Sequence, residues 1–300
     1  MIRAISLTRL ASRLLFLVPF AALLCNPSPG LAQAFAPSLG LASGFAALAG
    51  GPADGAVTCT GSNLTGDVGV VEPGTFTNTG CTLTGTVDTN ATQPYADFLY
   101  AYGQFQSNVA CDQTLTGTLA DVTLPPGVYC FTAAATLTGT LTLNGPADGV
   151  WIFKIGTGGT GALTGTSFTV VMAGDAAGTE CPNVYWWVAQ GATLTTSFFQ
   201  GTILAGADIT TTGATFIGEA LAGGTGTTDA PTGAVTFTGG STVTGCSATG
   251  GPVIFTGLKC NQGVGNGPEG CDPGNSNNHN PSNDEGGGTR GNPGRKVVKE

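Results

Sequence analysis

Between about residue 35 and residue 250 the chain alternates apolar and polar positions in short runs cut by glycine. "VTLPPGVYCF" (Val122–Phe131), "ATLTGTLTLNG" (Ala135–Gly145), "GVWIFKIG" (Gly149–Gly156) and "SFTVVMAG" (Ser167–Gly174) place β-branched and aromatic residues between turn residues. That pattern predicts short strands. One segment departs from it. In "QPYADFLYAYGQFQSN" (93–108) Tyr95, Phe98, Leu99, Tyr102 and Phe105 recur at helical spacing, and Pro94 suits a first turn. A single amphipathic helix is expected there. "GPVIFTGLKC" (251–260) reads as a closing strand or linker, and residues 261–300 are Asn/Gly/Pro-rich with almost nothing apolar. That tail is expected to be disordered or loosely ordered.

The strands repeat weakly. Four similar rungs are "VTCTGSNLTG" (57–66), "LTTSFFQG" (194–201), "ITTTGATFIG" (209–218) and "VTFTGGSTVTG" (235–245). Strand, glycine and strand at this spacing suggest coils of a β-solenoid stacked about 4.7–4.9 Å apart. With Ile209 inward, alternation turns Thr210 and Thr212 outward. The matching outward residues are Thr58 with Thr60, and Thr236 with Thr238; in the rung that starts at Leu194 they are Thr195 and Ser197. Thr-Gly-x-(Thr/Asn/Ser) follows in three rungs, ending on Asn63, Thr215 and Ser241. "TGCT" (79–82) and "TGGT" (157–160) fit the same pattern. The expected product is a flat array of hydroxyls and methyls free of charge.

Composition narrows the chemistry. Of 300 residues 50 are glycine and only 9% are charged, with a formal net charge of −9. Arg3, Arg9 and Arg13 lie at one end and Arg290, Arg295, Lys296 and Lys299 at the other, with only Lys154 and Lys259 between. Such a surface is a poor partner for nucleic acid or an anionic membrane. The three N-terminal arginines, the apolar "LLFLVPFAALL" (14–24) and "AQA" (32–34) read as a secretory signal over residues 1–34. The apolar run is too short to span a bilayer. Leu24 is too bulky for a lipobox before Cys25, so a released, secreted chain without membrane attachment is expected.

Eight cysteines remain after the signal: Cys59, Cys81, Cys111, Cys130, Cys181, Cys246, Cys260 and Cys271. An even number in an exported chain favours disulfides, with Cys59–Cys81 and Cys111–Cys130 as neighbour pairs. No C-x-x-C is present and the single histidine is His279, so no metal site is expected. Nor is a catalytic site or a cofactor. A serine triad needs a histidine base, and Asp67, Glu72, Asp88, Asp208 and Glu219 form no evident pair. Lys154 is expected to be a solvated surface residue. Trp186 and Trp187 are adjacent, so on a strand one faces the core and the other a surface or helix.

The chain resembles the secreted ice-binding-like β-solenoid proteins of bacteria and fungi over about residues 38–247. The resemblance is carried by "LGLASGFAALAG" (39–50), "LTGDVGV" (64–70), "LPPGVYCF" (124–131), "CPNVYWWVAQGATL" (181–194) and "TGATFIGEALA" (212–222). It implies a mainly β fold: a right-handed, discontinuous β-solenoid of triangular cross-section with one long helix alongside, here over residues 35–250. It also implies adsorption to ice through one flat face, in several members through Thr-(Ala/Gly)-x-(Thr/Asn). Thr60 with Asn63 and Thr212 with Thr215 match that motif; Thr238 with Ser241 departs at its last position. The implied partner is the ice surface with its ordered water, met by a monomer. The competing expectation is a structural or adhesive solenoid that contacts a surface or polysaccharide.

Overall fold

A computed structural model describes residues 34–51, 55–179, 181–224 and 233–246. The expected signal (1–34, but for Ala34), Cys25, the closing strand, the tail, Cys260 and Cys271 lie outside them. The strands pair in parallel and stack into layers, each turning through three straight runs. One run belongs to a nine-stranded helix-side sheet, and the other two form the arms of a thirteen-stranded sheet. We number the layers from one end of the stack.

Layer 1 holds Phe76–Thr79, Thr82–Thr84 and Val87–Asp88; layer 2 holds Val57–Thr60, Asn63–Thr65 and Asp67–Val70. Layer 3 is composite: Val235–Thr238 and Thr242–Thr244 supply its two arms, and Phe45–Ala49 supplies its helix-side run. Layer 4 is Ile209–Thr212, Thr215–Ile217 and Ala220–Ala222; layer 5 is Ala192–Thr195, Phe198–Gln200 and Thr202–Ala205. In layers 6 and 7 single long strands, Leu163–Gly174 and Ala135–Gly145, bend through both arms and are followed by Val184–Val188 and Trp151–Ile155. Val122–Leu124 and Gly127–Phe131 make layer 8. The chain thus starts in layer 3, runs to layer 1, crosses to the far end, and winds back into layer 3.

Helix α1 (Thr92–Ser107) lies on that crossing. At 16 residues it is about 24 Å long. It starts and stops one residue before the sequence expectation. Its Phe98, Ala101, Tyr102 and Phe105 are buried against the outer face of the helix-side sheet, where Leu48, Leu221, Leu204 and Trp187 align in one registered row. That row is apolar from Leu48 to Trp187, as suits a parallel sheet covered by a helix. Tyr102 donates its hydroxyl to the Val188 carbonyl at 3.2 Å, and the Trp187 indole donates to the Tyr102 carbonyl at 3.1 Å. Trp186, the neighbour, points into the solenoid.

The solenoid core is graded along its axis. Layers 4–8 stack aromatic rings, with Phe153 over Trp186 at 4.0 Å and Phe199 near Trp186 at 4.9 Å and Phe216 at 5.8 Å. In layers 1–3 the core is built of Ala46, Ala47, Val57, Cys59, Leu64 and Val68, with Phe237 as the buried ring of layer 3. Disulfides link Cys59 with Cys81 and Cys111 with Cys130, the neighbour pairs, and Cys181 with Cys246.

Lys154 is not the solvated residue expected. It is 5% exposed, stands in the registered row next to Trp187, and donates to the carbonyls of Gln106 (3.2 Å) and Val109 (2.6 Å). Gln106 lies in the last turn of α1, where the helix leaves acceptors unpaired and carries partial negative charge, and Val109 follows just past its cap. Alternation put the side chain on the helix side of its strand, and its length let the ammonium reach the helix end.

Candidate functional site

The first arm of each layer begins with an apolar residue and continues Thr-x-Thr. Val57 and Cys59, Ile209 and Thr211, and Val235 and Phe237 are fully buried. The threonines between and after them therefore face out. Register then stacks them. Thr77, Thr58, Thr236, Thr210, Thr193, Thr164 and Thr136 are successive backbone partners in layers 1 to 7. A second column follows two residues on: Thr79 partners Thr60, and Thr238, Thr212, Thr195 and Thr166 partner one another in turn. No charged residue interrupts either column. The columns present methyls and hydroxyls, and Thr212 and Thr238 share a hydroxyl–hydroxyl hydrogen bond at 3.2 Å. Asp208, at the rim, accepts from the Ala234 amide at 2.9 Å.

A corner closes each first arm. Its residue has positive φ: Gly61 at 56°, Gly80 at 72° and Gly213 at 61°. Glycine adopts this conformation without Cβ strain. In layers 5 and 6 Thr196 (46°) and Ser167 (49°) take the position instead, and their hydroxyls bond each other at 3.2 Å. The following residue turns inward, so the last residue of Thr-Gly-x-Thr opens the second arm rather than extending the first. Asn63 and Thr215 stand there, in a column with Thr82 and Thr242.

Two expected site residues are corrected. Ser197 is 4% exposed. The strand of layer 5 ends at Thr195, and Ser197 lies past the corner, where its hydroxyl donates to the Thr195 carbonyl at 3.0 Å and accepts from the Phe168 amide at 3.2 Å. The outward pair of layer 5 is Thr193 and Thr195, two residues earlier than the expected alignment. Ser241 is fully buried because the layer 3 corner holds one extra residue, Gly240, and Thr242 takes the outward place. Ser241 donates to the Thr238 carbonyl at 2.8 Å and accepts from Thr211 at 3.1 Å and from the Ala214 amide at 3.3 Å. These inward serines satisfy amides that the corner takes off the strand ladder.

Of the expected residues, the structure brings Thr58, Thr60, Thr195, Thr210, Thr212, Thr236 and Thr238 onto the first arm. The sequence reading missed Thr77, Thr136, Thr164, Thr166 and Thr193, and matched Thr79 to the motif without assigning it to the face. A usable signal was present: each begins or ends an apolar-Thr-x-Thr run, as in "FTNT", "ATLT" and "LTGT". The second arm is less regular. Phe198, Gln200, Ile217 and Val171 replace threonine in layers 4–6.

Other chemistry finds little support. Trp186 and Trp187 are both buried and offer no sugar platform. Asp67 accepts from the Thr86 amide and hydroxyl, Asp88 from the Asn90 amide, and Glu219 from Thr202. Burial pushes the Glu219 carboxyl up to about 7. Among the described residues no group of His, Cys, Asp and Glu could hold a metal ion, and no helix is long and apolar enough to cross a membrane.

A family model described as "Ice-binding-like" matches residues 51–232, more than half of the chain. This chain belongs to the ice-binding-like family. An ice-binding protein of Nostoc sp. (strain HG1) is 38% identical over 169 residues, covering 54% of this chain and 57% of its own length. Ice-binding protein K3-B1 of Typhula ishikariensis is 31% identical over 157 residues, covering 50% of this chain and 57% of its own. The match thus spans little more than half the length of these relatives. Among solved structures, the ice-binding protein of the Antarctic ascomycete Antarctomyces psychrotrophicus superposes at a TM-score of 0.58 with 33% identity, over 70% of this chain and 98% of its own. One from an Antarctic biological consortium gives 0.58 and 31%, over 71% and 93%. The β-solenoid is the fold that this chain shares with those structures.

Proposed function

We propose that this protein is secreted and adsorbs to ice through the Thr-x-Thr face of its first arm, slowing ice growth and recrystallisation. The observation that supports this most is the threonine register through layers 1–7, a charge-free array about 29 Å long at the interlayer spacing of a stacked sheet. Ice presents neither charge nor pocket, only a repeating lattice of water oxygens. Arrayed methyls hold water in cages, and arrayed hydroxyls anchor that water at fixed points. A repeat close to that of ice lets the ordered layer merge with the crystal. Rigidity matters equally, because a loose face would lose entropy on adsorption; strand stacking and three disulfides oppose that looseness. The relatives named as ice-binding proteins support the same reading.

The test is ice-recrystallisation inhibition by the parent and by Thr212→Tyr. Thr212 is exposed at the centre of the second column, so a bulky ring there lifts the face off the lattice. The expected result is activity in the parent and at least about a tenfold loss in the variant, equivalent to ~1.4 kcal/mol. A folded parent without activity refutes the proposal and leaves an adhesive or structural role.

A further inference from the structure

We infer that the solenoid carries a hinge between layers 4 and 5, free at the corner that closes the first arm. Cys81, Ser62, Ser241, Ala214, Ser197 and Phe168 follow the positive-φ residue of that corner in layers 1 to 6. All but Cys81 are buried, and they form an inward column. Along it a side-chain acceptor of one layer takes the backbone amide of the next. The Ser62 amide donates to the Cys81 sulfur at 3.2 Å, the Ser241 amide to the Ser62 hydroxyl at 3.1 Å, and the Ala214 amide to the Ser241 hydroxyl at 3.3 Å. The Phe168 amide donates to the Ser197 hydroxyl at 3.2 Å. Each of the three hydroxyls also donates to a carbonyl of its own first arm, on Thr60, Thr238 and Thr195. One serine therefore fixes its own corner and staples the next layer to it.

The step from layer 4 to layer 5 is the exception. Layer 4 has alanine at this position, and a methyl offers the Ser197 amide no acceptor. Strand pairing continues across the step, so the layers stay stacked. The other side-chain bonds of this corner stop there too. Thr212 bonds Thr238 and Thr211 bonds Ser241 between layers 4 and 3, and Thr196 bonds Ser167 between layers 5 and 6. Among the described residues no side-chain hydrogen bond bridges layers 4 and 5 at this corner. One does so at the next corner, where the second arm meets the helix-side run: Thr202 donates to Glu219. The step is thus pinned beside the helix-side sheet and unstapled where the two arms meet. Layers 1–4 and layers 5–6 are two stapled blocks, and the arms of one tilt against those of the other about the Thr202–Glu219 contact.

Native-state hydrogen exchange of the whole protein, followed by NMR, tests the hinge, because an amide exchanges through the local openings that free it. Rates are taken relative to those of the unstructured chain. In the parent the Ser197 amide is expected to exchange roughly tenfold faster than the amides of Ser241, Ala214 and Phe168, the effect of one missing hydrogen bond. Ala214→Ser supplies an acceptor at the empty step and is expected to slow the Ser197 amide by roughly tenfold while leaving the Phe168 amide unchanged. Ser197→Ala removes the next staple and is expected to speed the Phe168 amide by a similar factor; it decides the matter if Ala214→Ser does not fold. A Ser197 amide as protected as the other three in the parent overturns the inference. So does a folded Ala214→Ser in which the Ser197 amide exchanges as before, or a folded Ser197→Ala in which the Phe168 amide does.

Discussion

Raising the pH from 5 to 8 is expected to destabilise this protein through one carboxyl group, that of Glu219. The residue is 4% exposed and accepts a hydrogen bond from the Thr202 hydroxyl. Thr202 is registered with Tyr185, whose ring contacts Phe105 of α1. Burial raises the folded-state value to about 7 from the ordinary 4.5, against the smaller lowering effect of the Thr202 bond. The folded state therefore holds its proton more tightly than the unfolded chain. Below pH 4.5 both states are protonated and the contribution to stability is complete. It is lost as the pH rises through 7. Each pKa unit is worth about 1.4 kcal/mol, so the whole window spans about 3 kcal/mol, of which roughly 2.5 falls between pH 5 and 8. For a chain of this size that is a fall in Tm of roughly 5–10 °C.

The assay is thermal unfolding at several pH values for the parent and for Glu219→Gln, which keeps the shape and an acceptor for Thr202 without the charge. The slope should flatten in the variant, and its advantage should grow above pH 7. Tyr185 titrates outside the window, its hydroxyl pushed up by burial and by the Glu219 charge. Burial lowers Lys154, which acts in the opposite sense, with stability gained as the pH rises towards 10.5. Tyr185 loses one of its two raising influences in the variant but stays above the window, and Lys154 is untouched by the substitution, so superimposable pH profiles for the two proteins would refute the reasoning.

Lys154→Met keeps the side-chain stem but removes the donor from the Gln106 and Val109 carbonyls; about 2 kcal/mol of stability should be lost in urea unfolding, with ice activity of the folded protein unchanged. Ser241→Ala takes the acceptor from the Ala214 amide and the Thr211 hydroxyl, at a cost of about 1–3 kcal/mol. Recrystallisation inhibition at a temperature where that variant is folded should match the parent, since Ser241 is not on the surface. Replacing Cys181 and Cys246 by alanine opens a separation of 65 residues and should cost about 4 kcal/mol by chain entropy; the separation of 22 residues between Cys59 and Cys81 predicts about 3 kcal/mol. Calorimetric melting of the two double variants checks the order.

The strands, the helix and the outward threonines of layers 2, 3 and 4 were legible because alternation needs only local residues. Trp186 and Trp187 divided between core and helix for the same reason. The reading of layer 5 slipped by two residues. A slip of one would have reversed every side chain, but a slip of two preserves the face, so the error surfaced only where the strand ended. There Thr196 bends the chain without glycine, and Ser197 had nothing in its sequence to mark it as inward. The extra Gly240 concealed Ser241 similarly. The role of Lys154 was not legible at all, since it depends on where the end of α1 lies in space.

Layer 3 carries the longest-range information in the fold. Its helix-side run comes from Phe45–Ala49 and its arms from Val235–Thr244, nearly the whole described chain apart. Thr236 partners Thr58 on one side and Thr210 on the other. Without those strands the first column would be two threonines in layers 1–2 and four in layers 4–7, separated by a gap. Chain closure and the continuity of the face are thus one event. The Cys181–Cys246 disulfide ties the end of this inserted segment to the connection between layer 6 and its helix-side run. Its position suits the lattice-matching surface proposed above, because it braces a seam whose opening would divide the array.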